Sequence, residues 1–381
     1  MHGKHTNQLK HWTAWVYREI LRARIRRLVH WKPLTHPGPG CTAIIGMCSR
    51  LPDVMAANLR CLHQSRWPQL KKIVIAVDTV RTDAHAMVES DARANCPAIA
   101  VEFVYYSAAQ SQAADRVQLP FVYSWLSWCL AIRQVTTRHV LIHDYDALIL
   151  GPTLRQRYEE FVASAATVQG ISWYDSNGVL PSDRLATTFE TFVDATWLRS
   201  LPPIALFNKM RVKHGRSIDF DTSLDAQDRM LPEAKRTIVP MKLDEMVHPS
   251  QMIHQYTMFR RQPAGALPCF SMPMIPFFAY LSGKKGAIAH ATEALSSQPR
   301  NNVDILGDGT RFNFERLEIS QVDWILKQMV QAFIALECEP DRRVYEYGNA
   351  LYRTVEVSGD LVWRGDFSES QRRWIDRSAL A

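Results

Sequence analysis

Short, continuous apolar runs alternate with longer amphipathic stretches over the first half of the chain. Thr42–Met47, Lys72–Val77, Ala98–Tyr106 and residues 138–143 are apolar at consecutive positions, as strands covered on both faces are. Pro52–Gln64 and Pro120–Val135 instead carry helical spacing. The stripe of the second is Phe121, Trp125, Cys129 and Ile132, and proline is tolerated in the first turn of both. A helix over 153–168 and a strand near Val168–Trp173 follow. This order predicts an α/β fold with a mostly parallel central sheet and helices on both faces.

Further on the pattern loosens. Residues 187–200 are amphipathic and 215–232 are acidic. Ile319–Cys338 reads as a helix. Val344–Phe367 alternates like a hairpin turning at Ser358-Gly359-Asp360, so an α+β extension is expected over 291–381. The 381 residues suffice for one large core with appendages or for two domains.

At the other end, residues 8–32 read as a helix stopped by Pro33 and the His36-Pro37-Gly38-Pro39-Gly40 linker. Tyr17, Leu21, Ile25 and Leu28 fall on one stripe, and Arg18, Arg22 and Arg26 on its neighbour. Residues 1–36 hold eight Lys and Arg against Glu19 alone, which equals the whole net charge of +7. The body is therefore neutral, and no nucleic-acid partner is expected from it. Basic residues mixed with Trp12, Trp15 and Trp31 suit an anionic membrane surface. The alternatives are a helix docked on the body or on a second subunit of a homodimer, or a nucleic-acid contact made by the arm itself. The apolar segment Pro268–Leu281 is a second expected membrane contact, yet it contains prolines and is too short to span a bilayer. Seven scattered cysteines without a Cys-x-x-Cys read as reduced core residues, and no signal peptide is visible. The expected location is cytoplasmic, peripheral on the inner face of the cell membrane.

Two carboxylates close the strand at 138–143: Asp144 and Asp146. Ligands of an open α/β sheet bind beyond the carboxyl ends of its strands, and neighbouring acids there repel unless a cation lies between them. A divalent ion fits, with Asp146 as direct ligand and Asp144 on ribose or a metal-bound water. The plain alternative is a solvated turn. On the same edge, Asp78 is placed to accept from a nucleobase or ribose, Ser49 to cap the next helix, and Arg50 to meet a phosphate. The acids at Asp219, Asp221, Asp225 and Asp228 supply a general base, first Asp221, then Asp225, or simply begin a helix. His248 and His254 are candidate metal ligands, with His290 behind them. The P-loop, dinucleotide-binding, hydrolase-elbow and zincin motifs are absent.

In these residues the chain resembles the GT-A-fold glycosyltransferases, nearest to family 2. Ala43–Arg50 is similar to the family's opening strand and loop, and Ile73–Asp78 to the second strand with its nucleotide-contacting acid. Asp144-Tyr145-Asp146 matches the metal-binding Asp-x-Asp, and Phe220-Asp221-Thr222-Ser223-Leu224 resembles the Glu-Asp-x-x-Leu whose Asp is the base. His248 falls where such enzymes place a late metal-binding histidine. The likeness covers roughly residues 40–260. Cys48-Ser49 replaces the usual aromatic and Asn, Asp78 stands alone instead of in a pair, and Phe220 replaces Glu. No Gln-x-x-Arg-Trp follows, which argues against a processive polysaccharide synthase.

The resemblance implies a hexosyltransferase-type enzyme dependent on Mn²⁺ or Mg²⁺, with a UDP- or GDP-sugar donor and inversion at the anomeric carbon. Its acceptor would be a glycan or lipid-linked, in cell-surface polysaccharide or glycolipid synthesis. It also implies a transferase domain over 41–290, with a nucleotide half at 41–151 and an acceptor half at 152–290. A sugar-nucleotide pyrophosphorylase would want glycine and lysine in the loop Met47–Asp53, which has neither. A non-catalytic scaffold of degenerate transferase fold would have no use for the acid pair.

Overall fold

The computed structural model describes residues 2–381 apart from 173–176, 241, 262–269, 356–362 and 364. The chain forms two compact units. The first comprises Met1–Arg50, Arg66–Tyr145 and Leu154–Lys242; the second comprises Leu51–Ser65, Asp146–Thr153 and Leu243–Ala381.

A seven-stranded sheet organises the first unit. Its strands are β1 (Gly38–Met47), β2 (Leu70–Val77), β3 (Ala100–Tyr105), β4 (Thr137–His143), β5 (Val168–Ser172), β6 (Ala186–Asp194) and β7 (Arg236–Val239). The spatial order is β7-β5-β6-β4-β1-β2-β3. Only β6 runs antiparallel to its neighbours. The expected mixed α/β architecture, a mostly parallel central sheet with helices on both faces, is present. Ala43, Ile44 and Ile45 have no exposed surface, which explains an apolar run without alternation. The helix Pro120–Arg133 packs across β1, where a Cβ on Gly46 would stand 3.0 Å from the Ser127 Cβ. Trp125, Leu126 and Cys129 join Ile44, Val74 and Val140 in one core.

The strand order positions the site. The chain steps outward from β1 to β2 to β3, then returns to lay β4 on the other side of β1. Loops leaving the carboxyl ends of β1 and β4 therefore diverge and leave a crevice, the ligand-binding switch point of open α/β sheets.

The N-terminal helix α1 (Gln8–Ile25) is docked on this unit. Asn7 caps it by accepting from Leu9 N and Lys10 N at 2.8 and 3.3 Å. Leu21, Ile25 and Val29 enter the core, His11 Nδ1 meets Ser217 Oγ at 2.8 Å, and Arg18 donates to Asp219 at 3.0 Å. Tyr17, on the same stripe, is exposed. One expectation changes here. The helix ends at Ile25 and not near residue 32, because the chain turns to bury Val29 and to bond the Trp31 indole to the Leu201 carbonyl at 2.7 Å. Beside α1, the hairpin Lys209–Lys213 and Arg216–Phe220 turns at His214-Gly215, both with positive φ, as tight hairpins require.

The second unit is mostly helical: Pro52–Gln64, Met252–Arg261, Met274–Leu281, Gly286–Ser297, Ile319–Ala335, Arg342–Thr354 and Glu369–Leu380. Phe333 stacks on Trp374 at 5.0 Å and takes the edges of Phe277 and Tyr280. The expected hairpin is corrected. Residues 342–354 form a helix, since Val344, Tyr347, Leu351 and Tyr352 are buried at helical spacing, while the turn at 358–360 lies outside the described residues. The Pro268–Leu281 segment is corrected too. Every residue of Met274–Leu281 is buried in this unit, which leaves that helix no lipid-facing side, and Pro268 and Cys269 lie outside the described residues.

Candidate metal and donor site

Strand β4 carries the chain directly to Asp144, whose backbone N–H donates to the Phe189 carbonyl at 3.1 Å. Past Asp146, Leu148–Ile149 pairs antiparallel with Met246–Val247, with Leu148 opposite Val247. That register sets His248 beside the residues just before Leu148. Its Nε2 lies 3.8 Å from Asp146 Oδ1. Two further bonds hold this turn: Asn58 Nδ2 donates to the Ala147 carbonyl at 3.0 Å, and Leu150 N to the Glu245 carbonyl at 2.8 Å. One ligand atom from each of Asp144, Asp146 and His248 falls within 4.8 Å of the others.

The electrostatics of this group suit a cation. Burial raises the Asp146 carboxyl well above the ordinary range and pushes the His248 imidazole down to about 4. A neutral imidazole is the ligand form, and a divalent ion would restore the carboxylate. Two carboxylates and an imidazole therefore fit a divalent metal by donor chemistry, burial and mutual reach.

Ser49, Arg50 and Asp78 follow the carboxyl ends of β1 and β2. Ser49 does not cap the helix at Pro52; its backbone N–H donates to Asp78 Oδ1 at 2.8 Å. Asp78 thus braces the loop after β1, and burial raises its carboxyl against the pull of the Ser49 bonds. Cys48 is pushed up to about 12, by burial first and by Asp78 second, and is inert as a nucleophile. Arg50 is exposed at the end of this loop.

Strand Arg216–Phe220 delivers Asp221 to a tight turn in which Ser223 adopts φ 70°. Asp221 Oδ1 accepts from Asn208 Nδ2 and from Thr222 N, both at 2.7 Å. Burial still raises its carboxyl; Asp219 adds to the rise, and Arg18 opposes it. Asp225 stands differently. Arg211 donates to it at 2.8 Å and Arg229 lies 3.9 Å away, while Asp228 takes Arg211 and Lys213. Its charge is spent within an ion-pair lattice.

The structure thus assembles Asp144, Asp146 and His248, ties Ser49 to Asp78, and separates the surroundings of Asp221 from those of Asp225. His254 and His290 are not in the metal group, and His290 Nε2 meets the Asp304 carbonyl at 3.1 Å. Asn208 and Asn58 escaped sequence reasoning. Each is a lone amide whose partner is distant in the chain, so no local spacing marks it.

No family model matches the chain, and no curated protein matches it. Among solved structures, it is similar to the mannosyltransferase PcManGT from Pyrobaculum calidifontis in complex with GDP-Man and Mn²⁺. The two are 13% identical, with a TM-score of 0.32, over 86% of this chain and 96% of that one. It is similar to residues 1–349 of S. aureus TarS at 12% identity and a TM-score of 0.35, over 85% of this chain and 94% of that one. It is also similar to glucosyl-3-phosphoglycerate synthase from Mycobacterium tuberculosis at 12% identity and a TM-score of 0.34, over 65% of this chain and 81% of that one. With TM-scores below 0.5, these likenesses carry no argument about this chain's fold or activity.

Proposed function

We propose that the chain transfers a sugar from a nucleotide-diphosphate donor to a hydroxyl acceptor, with inversion. The observation that carries this reading is the group Asp144, Asp146 and His248, whose ligand atoms lie within 4.8 Å of one another. The sequence resemblance set out above points to the same chemistry. A divalent ion held there would neutralise the diphosphate and stabilise it as a leaving group. The imidazole in the donor set favours Mn²⁺ over Mg²⁺, which prefers all-oxygen shells.

The chain's own residues supply the rest. Asp78 braces the loop after β1 and meets a ribose or base at the carboxyl edge of β2, and Arg50 takes a phosphate. Asp221 removes the acceptor proton as the acceptor oxygen bonds to the anomeric carbon. The anomeric carbon–phosphate oxygen bond breaks, and its electron pair leaves with the nucleoside diphosphate. A carboxyl raised by burial makes a stronger base than an ordinary aspartate while remaining ionised above its own pKa. The donor class is UDP- or GDP-sugar, and the acceptor a glycan or a lipid-linked sugar of a cell-surface polymer.

The test is a thermal-shift panel of UDP, GDP, CDP and their sugar conjugates, with Mn²⁺ and with EDTA. A ligand at one hundred times its Kd adds about 2.7 kcal/mol of stability. A Mn²⁺-dependent shift for one nucleotide, lost in Asp146→Asn, is expected. If no diphosphate shifts the folded protein with metal present, the donor site is refuted.

A further inference from the structure

Docking of α1 leaves one of its faces unused. Leu9, Trp12, Val16, Tyr17 and Ile20 recur at helical spacing and are each between 46% and 74% exposed. They make up five of the twelve large apolar side chains exposed among the described residues, and the other seven are scattered along the chain. Soluble proteins expose such residues singly, and a contiguous stripe marks a contact surface. Arg24 continues the stripe in the last turn, and Arg27 follows just beyond the helix.

Charge selects the occupant. Arg18 and Arg22 are turned inward, to Asp219 and to the Phe207 carbonyl. Lys10, Arg24, Arg26, Arg27 and Lys32 are exposed. Glu19, the one acid among residues 1–36, faces Arg22 and Lys209 at 3.6 and 3.9 Å. The free face is therefore apolar, with a tryptophan and a basic rim, and residues 1–36 carry no second acid to offset it. A second copy of this chain would bring the same positive rim against it.

We infer that the outer face of α1 lies in the interface of an anionic lipid bilayer, with Trp12, Val16 and Ile20 among the acyl chains and Arg24 and Arg27 on the headgroups. The helix approaches the bilayer already folded, since its inner face is bound to the first unit, so the cost of ordering a free peptide is not incurred at the membrane. This inference stands on α1 alone and not on the transferase reading.

Vesicle co-sedimentation of the full chain, without donor or metal, tests it. Equal parts phosphatidylcholine and phosphatidylglycerol are compared with phosphatidylcholine alone. The mixed vesicles are expected to bind the protein and to release it as salt rises. Trp12→Ser, Val16→Ser and Ile20→Ser together should weaken binding at least about tenfold. Arg24→Gln with Arg27→Gln should weaken it about fivefold per residue. All these positions face solvent, so unchanged circular dichroism melts would confirm folding. If the folded wild-type chain does not partition onto the mixed vesicles, the inference fails. It fails equally if sedimentation equilibrium shows a dimer that the triple substitution dissolves while vesicle binding is unchanged.

Discussion

Replacing Arg18 with Ala removes the strongest single tie between α1 and the strand that leads to Asp221. Its guanidinium donates to Asp219 at 3.0 Å and lies 3.7 Å from the centroid of the Phe121 ring. The two side chains are 13% and 11% exposed, so water screens the pair little. Truncation leaves Asp219 nearly buried without its counter-charge, a change that costs about 3 kcal/mol by comparison with other buried pairs. Asp219→Asn keeps an acceptor oxygen and should cost about 1 kcal/mol. Urea titrations of the wild type, Arg18→Ala, Asp219→Ala and the double variant make a cycle, with an expected coupling near 2 kcal/mol. A second readout follows from the charges around Asp221, which Asp219 raises and Arg18 lowers. The acid limb of the pH–rate profile should therefore move to higher pH in Arg18→Ala and to lower pH in Asp219→Asn. Additive urea energies, or two pH limbs that stay in place, would refute the reasoning.

Two other predictions concern distant parts of the chain. Asp146→Asn and His248→Ala should each cut turnover about a hundredfold or more and abolish the Mn²⁺ response in isothermal titration, while far-UV circular dichroism stays as in the wild type. Gly348→Ala lies inside the helix Arg342–Thr354, where alanine ordinarily gains about 1 kcal/mol. Here a new Cβ would overlap the Trp363 ring, so the sign should reverse to a loss of about 2 kcal/mol in chemical denaturation.

What the sequence revealed and what it hid divide along physical lines. Strands β1, β2 and β4 are apolar on both faces, so their composition alone marks them, and each ends at an acid or polar loop whose role follows from strand direction. Asp144 and Asp146 were legible for that reason. His248 and His254 stood level on residue chemistry, and only the resemblance set His248 ahead, because the short pairing that sets it beside Asp146 joins segments about a hundred residues apart in sequence. The hairpin expected at 344–367 failed because alternation over a few aromatic and β-branched residues also fits a helix stripe. Val344, Tyr347, Leu351 and Tyr352 satisfy the longer period, and burial by the other helices of the second unit decides between the two. The α1 arginines looked alike in sequence. Only the partners Asp219 and the Phe207 carbonyl separate Arg18 and Arg22 from Arg24 and Arg27.

The choice of base between Asp221 and Asp225 can be settled by stability as well as by rate. Asp221 is held above the ordinary aspartate range in the folded state, so that state binds its proton more tightly than the unfolded chain does. Stability must then fall as pH climbs from about 4 through the folded pKa, and the deficit persists at neutral pH. Asp221→Asn removes this deficit and keeps an oxygen to accept from Asn208 and Thr222, both of which now bond the same atom. The variant should be at least as stable as the wild type at neutral pH and should lose turnover about a thousandfold, taking the acid limb of the pH–rate profile with it. Asp225→Asn should do the reverse. Its carboxylate balances Arg211 within a lattice only partly open to water, so the loss is about 1–2 kcal/mol of stability with turnover nearly intact. A folded Asp221→Asn that still turns over at the wild-type rate would move the base elsewhere. A stable, inactive Asp225→Asn would show that the lattice around it is opened when acceptor binds.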